Sequence, residues 1–83
     1  MYSLPVIRRE DAVYDIEEQN RLLEAAGVTE AEFIFRFYGD SYEIGLVLDG
    51  GKRTHWFWKW SEAQKLVMST FPEADWEETG WTL

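Results

Sequence analysis

The sequence predicts an α+β fold: a three-stranded antiparallel meander with helices packed on one face, in the order α-β-β-β-α, ending in an acidic C-terminal tail. Three observations carry this reading. Apolar residues recur at helical spacing on both sides of the chain's centre. Between them, Phe33, Phe35 and Phe37 alternate with Glu32, Ile34, Arg36 and Tyr38, a pattern that favours a strand. Gly39-Asp40 and Asp49-Gly50-Gly51 then punctuate the alternation as turns.

Tyr2 to Ile7 is short and apolar and contains Pro5, so it reads as an edge strand or an extended lead-in. The first helix is expected from about Arg9 to Ala26. Val13, Ile16, Asn20 and Leu23 form its stripe with Ala12 and Ala26, and Leu22 and Ala25 widen it. Gly27 supplies a C-terminal cap. Val28 to Phe33 also carries helical signals, with Thr29 and Glu32 as a capping box. The following segment favours the strand. A tight turn at Gly39-Asp40 sets Phe37 opposite Tyr42, Phe35 opposite Ile44 and Phe33 opposite Leu46. The same register places Arg36 across from Glu43.

Lys52 to Trp60 is expected to form the third strand, and its register depends on the loop before it. A three-residue Asp49-Gly50-Gly51 loop sets Trp56, Trp58 and Trp60 on the face of Ile44 and Tyr42. A two-residue Gly50-Gly51 turn pairs Ile44 with Phe57 and turns the Trp rings outward. The longer loop is preferred because it hides three large rings in place of one. Ser61 then caps the last helix, with Gln64 completing a capping box. Ala63, Leu66, Val67, Thr70 and Phe71 form its apolar stripe. Pro72 ends it. An acidic turn before Gly80 follows, and Trp81-Thr82-Leu83 is expected to pin the tail to the body.

Residues 1–83 fit a single domain, with an apolar share of 46% to supply its core. A domain this small buries only about 60% of its unfolded surface, so bulky rings matter. Five Trp, five Phe and four Tyr supply them. The absence of Cys excludes disulfides and thiolate zinc sites. No apolar run approaches the ~20 residues of a membrane span, and the first residues lack a signal-peptide pattern. The expected location is cytoplasmic.

Charge is the most distinctive property. Sixteen Asp/Glu face eight Lys/Arg, a formal net charge of −8. Asp11, Asp15 and Glu18 lie at i, i+4 and i+7 on one stripe of the first helix. Glu10, Glu17 and Glu24 line a neighbouring stripe. Together they spread carboxylates along roughly 20 Å of helix, at ~1.5 Å per residue. Glu73, Asp75, Glu77 and Glu78 form a second cluster that contains no base. Such a field attracts basic surfaces and repels phosphate polymers. These seven residues, Asp11, Asp15, Glu18, Glu73, Asp75, Glu77 and Glu78, are the candidate partner-binding set.

Signs of chemistry are missing. His55 is the one histidine and has no metal-ligand spacing around it. The serines sit in no nucleophile-elbow pattern. Asp49-Gly50-Gly51-Lys52 is not a phosphate loop, and Asp40 to Asp49 does not match an EF-hand. The expectation is a non-enzymatic protein with no cofactor and no metal. An alternative function rests on Lys52, Arg53, Lys59 and exposed Trp rings, which could hold a nucleic-acid strand.

The element order resembles that of the double-stranded-RNA-binding domain. That fold places a Lys-rich cluster at the start of its last helix. Here the stretch reads Ser61-Glu62-Ala63-Gln64-Lys65, and the first helix is acidic. In composition and element order the chain also resembles the small acidic phage-encoded inhibitors that mimic nucleic acid, including anti-CRISPR proteins. That resemblance implies an inhibitor that occupies the nucleic-acid groove of a CRISPR effector or another host nuclease and does not bind nucleic acid itself.

Overall fold

Helix α1 runs from Arg9 to Ala25 in the computed structural model, which describes residues 8–82. The readings of residues 2–7 and of Leu83 lie outside the described residues. Gly27, at φ 86°, ends the helix. Its N–H donates to the Glu24 carbonyl and that of Val28 to the Leu23 carbonyl, both at 2.9 Å. Leu23 and Val28 are both buried, completing the apolar contact of this left-handed cap. The stripe that meets the sheet runs through Ala12, Ile16, Asn20, Leu23 and Ala26. Val13, expected on it, is 44% exposed because it lies one helical step, about 100°, round from Ala12.

Strand β1 spans Glu32–Tyr38 and β2 spans Ser41–Leu48. They pair antiparallel in the expected register: Phe33 with Leu46, Phe35 with Ile44, Phe37 with Tyr42, and Arg36 with Glu43. Gly39 takes φ 60° at the first turn position, a conformation that favours glycine in a primed hairpin turn. Strand β3 is shorter than expected, Arg53–Phe57, and the sheet order is β1-β2-β3.

The register of β3 corrects the preferred reading. Ile44 pairs with Phe57 and Leu48 with Arg53. Asp49 joins Gly50 and Gly51 in the positive-φ region, at 53°, 65° and 94°. Asp tolerates that region better than most side chains, and Arg53 Nε donates to its Oδ2 at 2.6 Å. The loop therefore takes four residues from strand to strand. Phe57 turns to the helix side, while Trp56 and Trp58 turn away from it.

Trp60 leaves the strand altogether and opens helix α2, Trp60–Thr70. Lys59, in extended backbone, is the N-cap, so Ser61 lies inside the helix and does not cap it. Gln64 donates instead to Gln19 Oε1 at 2.9 Å, tying α2 to α1. Ala63, Val67 and Met68 are buried, with Leu66 and Phe71 packed beside them. Thr70 faces solvent and returns its hydroxyl proton to the Leu66 carbonyl.

Both helices pack on one face of the sheet, an α+β arrangement of two layers. Phe33, 1% exposed, stands at the centre of the core with Leu23, Ile44, Leu46, Leu48 and Val67. The Trp60 ring meets Phe33 edge-on at 5.1 Å, so this tryptophan is packed inward, though from a helix. Burying each such side chain stabilises the fold by about 1.5–3 kcal/mol.

The other face of the sheet carries Glu32, Ile34, Arg36 and Tyr38 from β1, Ser41, Glu43, Gly45 and Val47 from β2, and Thr54 and Trp56 from β3, with Trp58 just beyond it. Gly45 is required there. A Cβ on it would stand 2.8 Å from both the Trp56 ring and Ile34. The missing side chain is the space in which the indole lies.

Candidate functional site

The candidate acids occupy two separate surfaces. On α1, Asp11 and Glu18 face solvent. Arg21 forks onto Glu18, with Nε donating at 3.1 Å and a terminal nitrogen at 2.6 Å. Asp15 is half-buried and turns toward β2, where its carboxylate helps hold the Tyr42 phenol above its ordinary value, after burial. Tyr14, 70% exposed, stands among these carboxylates.

The tail backbone is held in place. After Pro72 the chain folds back, and the Asp75 N–H donates to the Ala26 carbonyl at 2.9 Å. Trp76 Nε1 donates to the Phe71 carbonyl at 2.8 Å. The Trp76 and Trp81 rings stack at 5.5 Å, and Trp81 meets Phe33 edge-on at 6.0 Å. A 3₁₀ turn, Trp76–Thr79, closes on Gly80 at φ 73°. Glu73, Asp75, Glu77 and Glu78 are all exposed on this anchored segment.

Folding adds a residue that sequence reasoning did not place in the site. A cleft of about 630 Å³ lies between the end of α1 and the returning tail. Glu30 lines it together with Glu73 and Asp75, above apolar Val28, Phe71 and Ala74. The long-range contact of Asp75 with Ala26 brings these acids together, and no local pattern announces it. The α1 stripe stays apart from this group. Asp11 lies 15 residues before Ala26, about 22 Å along a helix.

The cations do little to offset this charge. Arg21, Arg36 and Arg53 are engaged by Glu18, Glu43 and Asp49 respectively. Among the described residues the tail acids have no ion-pair partner. The nucleic-acid alternative gains one feature from the observed register, because Trp58 is 62% exposed on the open face. Tyr38 tilts against it at 6.0 Å. The Arg36 guanidinium lies over the Trp56 ring at 3.8 Å and contacts Glu43 at 3.4 Å. Tyr38 donates its hydroxyl to Glu43, which raises the phenol's pKa.

His55 is exposed on β3. Among the described residues no group of three or more His, Cys, Asp or Glu could hold a metal ion. Among them, too, no helix is long and apolar enough to cross a membrane. Comparison with protein-family models, curated proteins and solved structures found no match to this chain.

Proposed function

We propose that the chain is a non-catalytic binding protein whose acidic surfaces occupy a basic, nucleic-acid-binding surface of another protein. The observation that carries this reading is the anchored tail. An acidic tail that served solubility alone would need no fixed conformation. Here two tryptophans and two hydrogen bonds anchor the backbone that carries Glu73, Asp75, Glu77 and Glu78, with Glu73 and Asp75 beside Glu30. Carboxylates carried on an anchored backbone present a shaped negative field, which steers a basic partner and spares the cost of ordering the tail on docking. Asp11 and Glu18 extend the field along α1. By its resemblance to nucleic-acid-mimicking inhibitors, the partner is a CRISPR effector or another host nuclease.

The test is capture of a partner from host cells with the tagged chain, followed by competition. The chain should displace labelled nucleic acid from that partner, one chain per nucleic-acid site, while binding no nucleic acid itself. A partner that holds the chain and its nucleic acid together without competition would contradict the proposal.

A second reading, a nucleic-acid-binding module, is favoured by the outward Trp56 and Trp58 with Lys52 and Lys59 nearby in sequence. Against it stand the net charge of −8 and the engagement of Arg36 and Arg53 by acids. A module of this kind binds short oligonucleotides with an affinity that falls steeply as salt rises.

A further inference from the structure

The open face of the sheet is unlike the rest of this surface. Among the described residues its one ion pair, Arg36 with Glu43, is internal and self-cancelling, and the other carboxylate on this face, Glu32, lies at the far end of β1. Around it lie Ile34, Trp56, Tyr38 and Trp58, the last two exposed by 47% and 62%. Apolar and aromatic surface of this kind marks an interaction site on a small soluble domain. We infer that it is the contact face of a homodimer, two copies packed sheet to sheet.

The choice of a second copy follows from charge. A two-fold interface sets the same patch against itself, so any net charge on the patch opposes its own image. The α1 stripe and the tail would place carboxylate on carboxylate. The centre of the open face meets its copy without that cost. A nucleic-acid strand is the poorer occupant, since the chain's overall charge of −8 repels phosphate and both arginines of the sheet are already paired.

Area sets the strength. Strands ~4.8 Å apart, rising ~3.3 Å per residue, give a face of roughly 15 by 23 Å. Two such faces span roughly 700 Å² in all, below the standard specific interface and in the range of a transient contact. The dimer is therefore weak, and net repulsion between the two copies makes it tighter as salt rises. That dependence is opposite in sign to docking on a basic partner, so this inference and the proposed function fail separately.

Sedimentation equilibrium of the pure chain, from about 10 μM to 1 mM in low and in 1 M salt, tests it. The weight-average mass should climb from 9.8 kDa toward twice that value, and should do so at lower concentration in high salt. Trp58→Ala should weaken association roughly tenfold or more with an unchanged circular dichroism spectrum. Tyr14→Ala, on α1, should behave as wild type. A mass of one chain at every concentration, or wild-type association by Trp58→Ala, would overturn the inference. So would a short single-stranded oligonucleotide that quenches wild-type tryptophan fluorescence but not that of Trp58→Ala, because it would assign the face to nucleic acid.

Discussion

The side-chain amide of Asn20 pairs with the backbone of Phe33 as a neighbouring strand would. The Phe33 N–H donates to Oδ1 at 2.7 Å, and Nδ2 donates to the Phe33 carbonyl at 3.0 Å. Among the described residues strand β1 is an edge, and Phe33 is a core residue whose outward backbone groups have no described strand beside them. Asn20 sits within the apolar stripe of α1 because these groups need a polar partner at that point. It also blocks part of an edge that could otherwise recruit another chain.

Asn20→Leu keeps the volume and removes both bonds. It should cost about 1–3 kcal/mol, seen as a lower urea midpoint with an unchanged slope. An unchanged midpoint would mean that water replaces both bonds without loss.

Gly45→Ala tests the space that Gly45 leaves for Trp56. The added methyl would meet the indole and Ile34 at 2.8 Å, so the ring must move. Destabilisation of about 1–3 kcal/mol is expected, with a shift in tryptophan emission. Adding Trp56→Val should recover much of the loss. If Gly45→Ala is neutral, the close approach of these groups is not maintained in solution.

Trp81→Ala should loosen the tail. It removes the stack on Trp76 and the edge contact with Phe33. A fully buried ring costs about 3–5 kcal/mol to truncate; Trp81 is half-buried, so about 2–3 kcal/mol is expected. Amide exchange across residues 73–80 should accelerate more than in β2. Uniform acceleration would mean that the tail is not a separate docked unit.

Burial, and then the Asp15 carboxylate, hold the Tyr42 phenol above its ordinary value. Folding thus favours the neutral phenol. That contribution is complete below the ordinary phenol pKa near 10 and is lost as pH rises through the raised folded-state value. Urea midpoints between about pH 8 and pH 11 should fall more steeply for wild type than for Tyr42→Phe. Parallel curves would show that Tyr42 ionises equally in both states.

The β1–β2 pairing was legible because alternation, a glycine turn and a cross-strand charge pair agree on one register, in which Phe33 meets Leu46 and Arg36 meets Glu43. The β3 register was not. Asp49-Gly50-Gly51 supports either loop, and the deciding features lie elsewhere. Gly45 makes room for Trp56 on the outer face, and Trp60 reaches Phe33 only by starting α2. Val13 misled because helical spacing gives a stripe's period but not its edge. The acid was legible as composition. That Asp75 would meet Ala26, and so join Glu30 to the tail cluster, depends on a contact across the fold that no local pattern encodes.

The central claim is that the carboxylates of the acidic surfaces meet the partner. The most direct measurement is a salt series of association rates with the captured partner. Wild type is compared with two variants. One has Asp11, Asp15 and Glu18 changed to Asn or Gln. The other has Glu73, Asp75, Glu77 and Glu78 changed likewise. Charge steers encounter more than it sets final affinity, and salt screens it over about 8 Å at physiological strength. Each exposed substitution should leave stability within about 0.5 kcal/mol. The account predicts slower association and a flatter salt dependence in one or both variants. Wild-type rates in both, at every salt concentration, would contradict it.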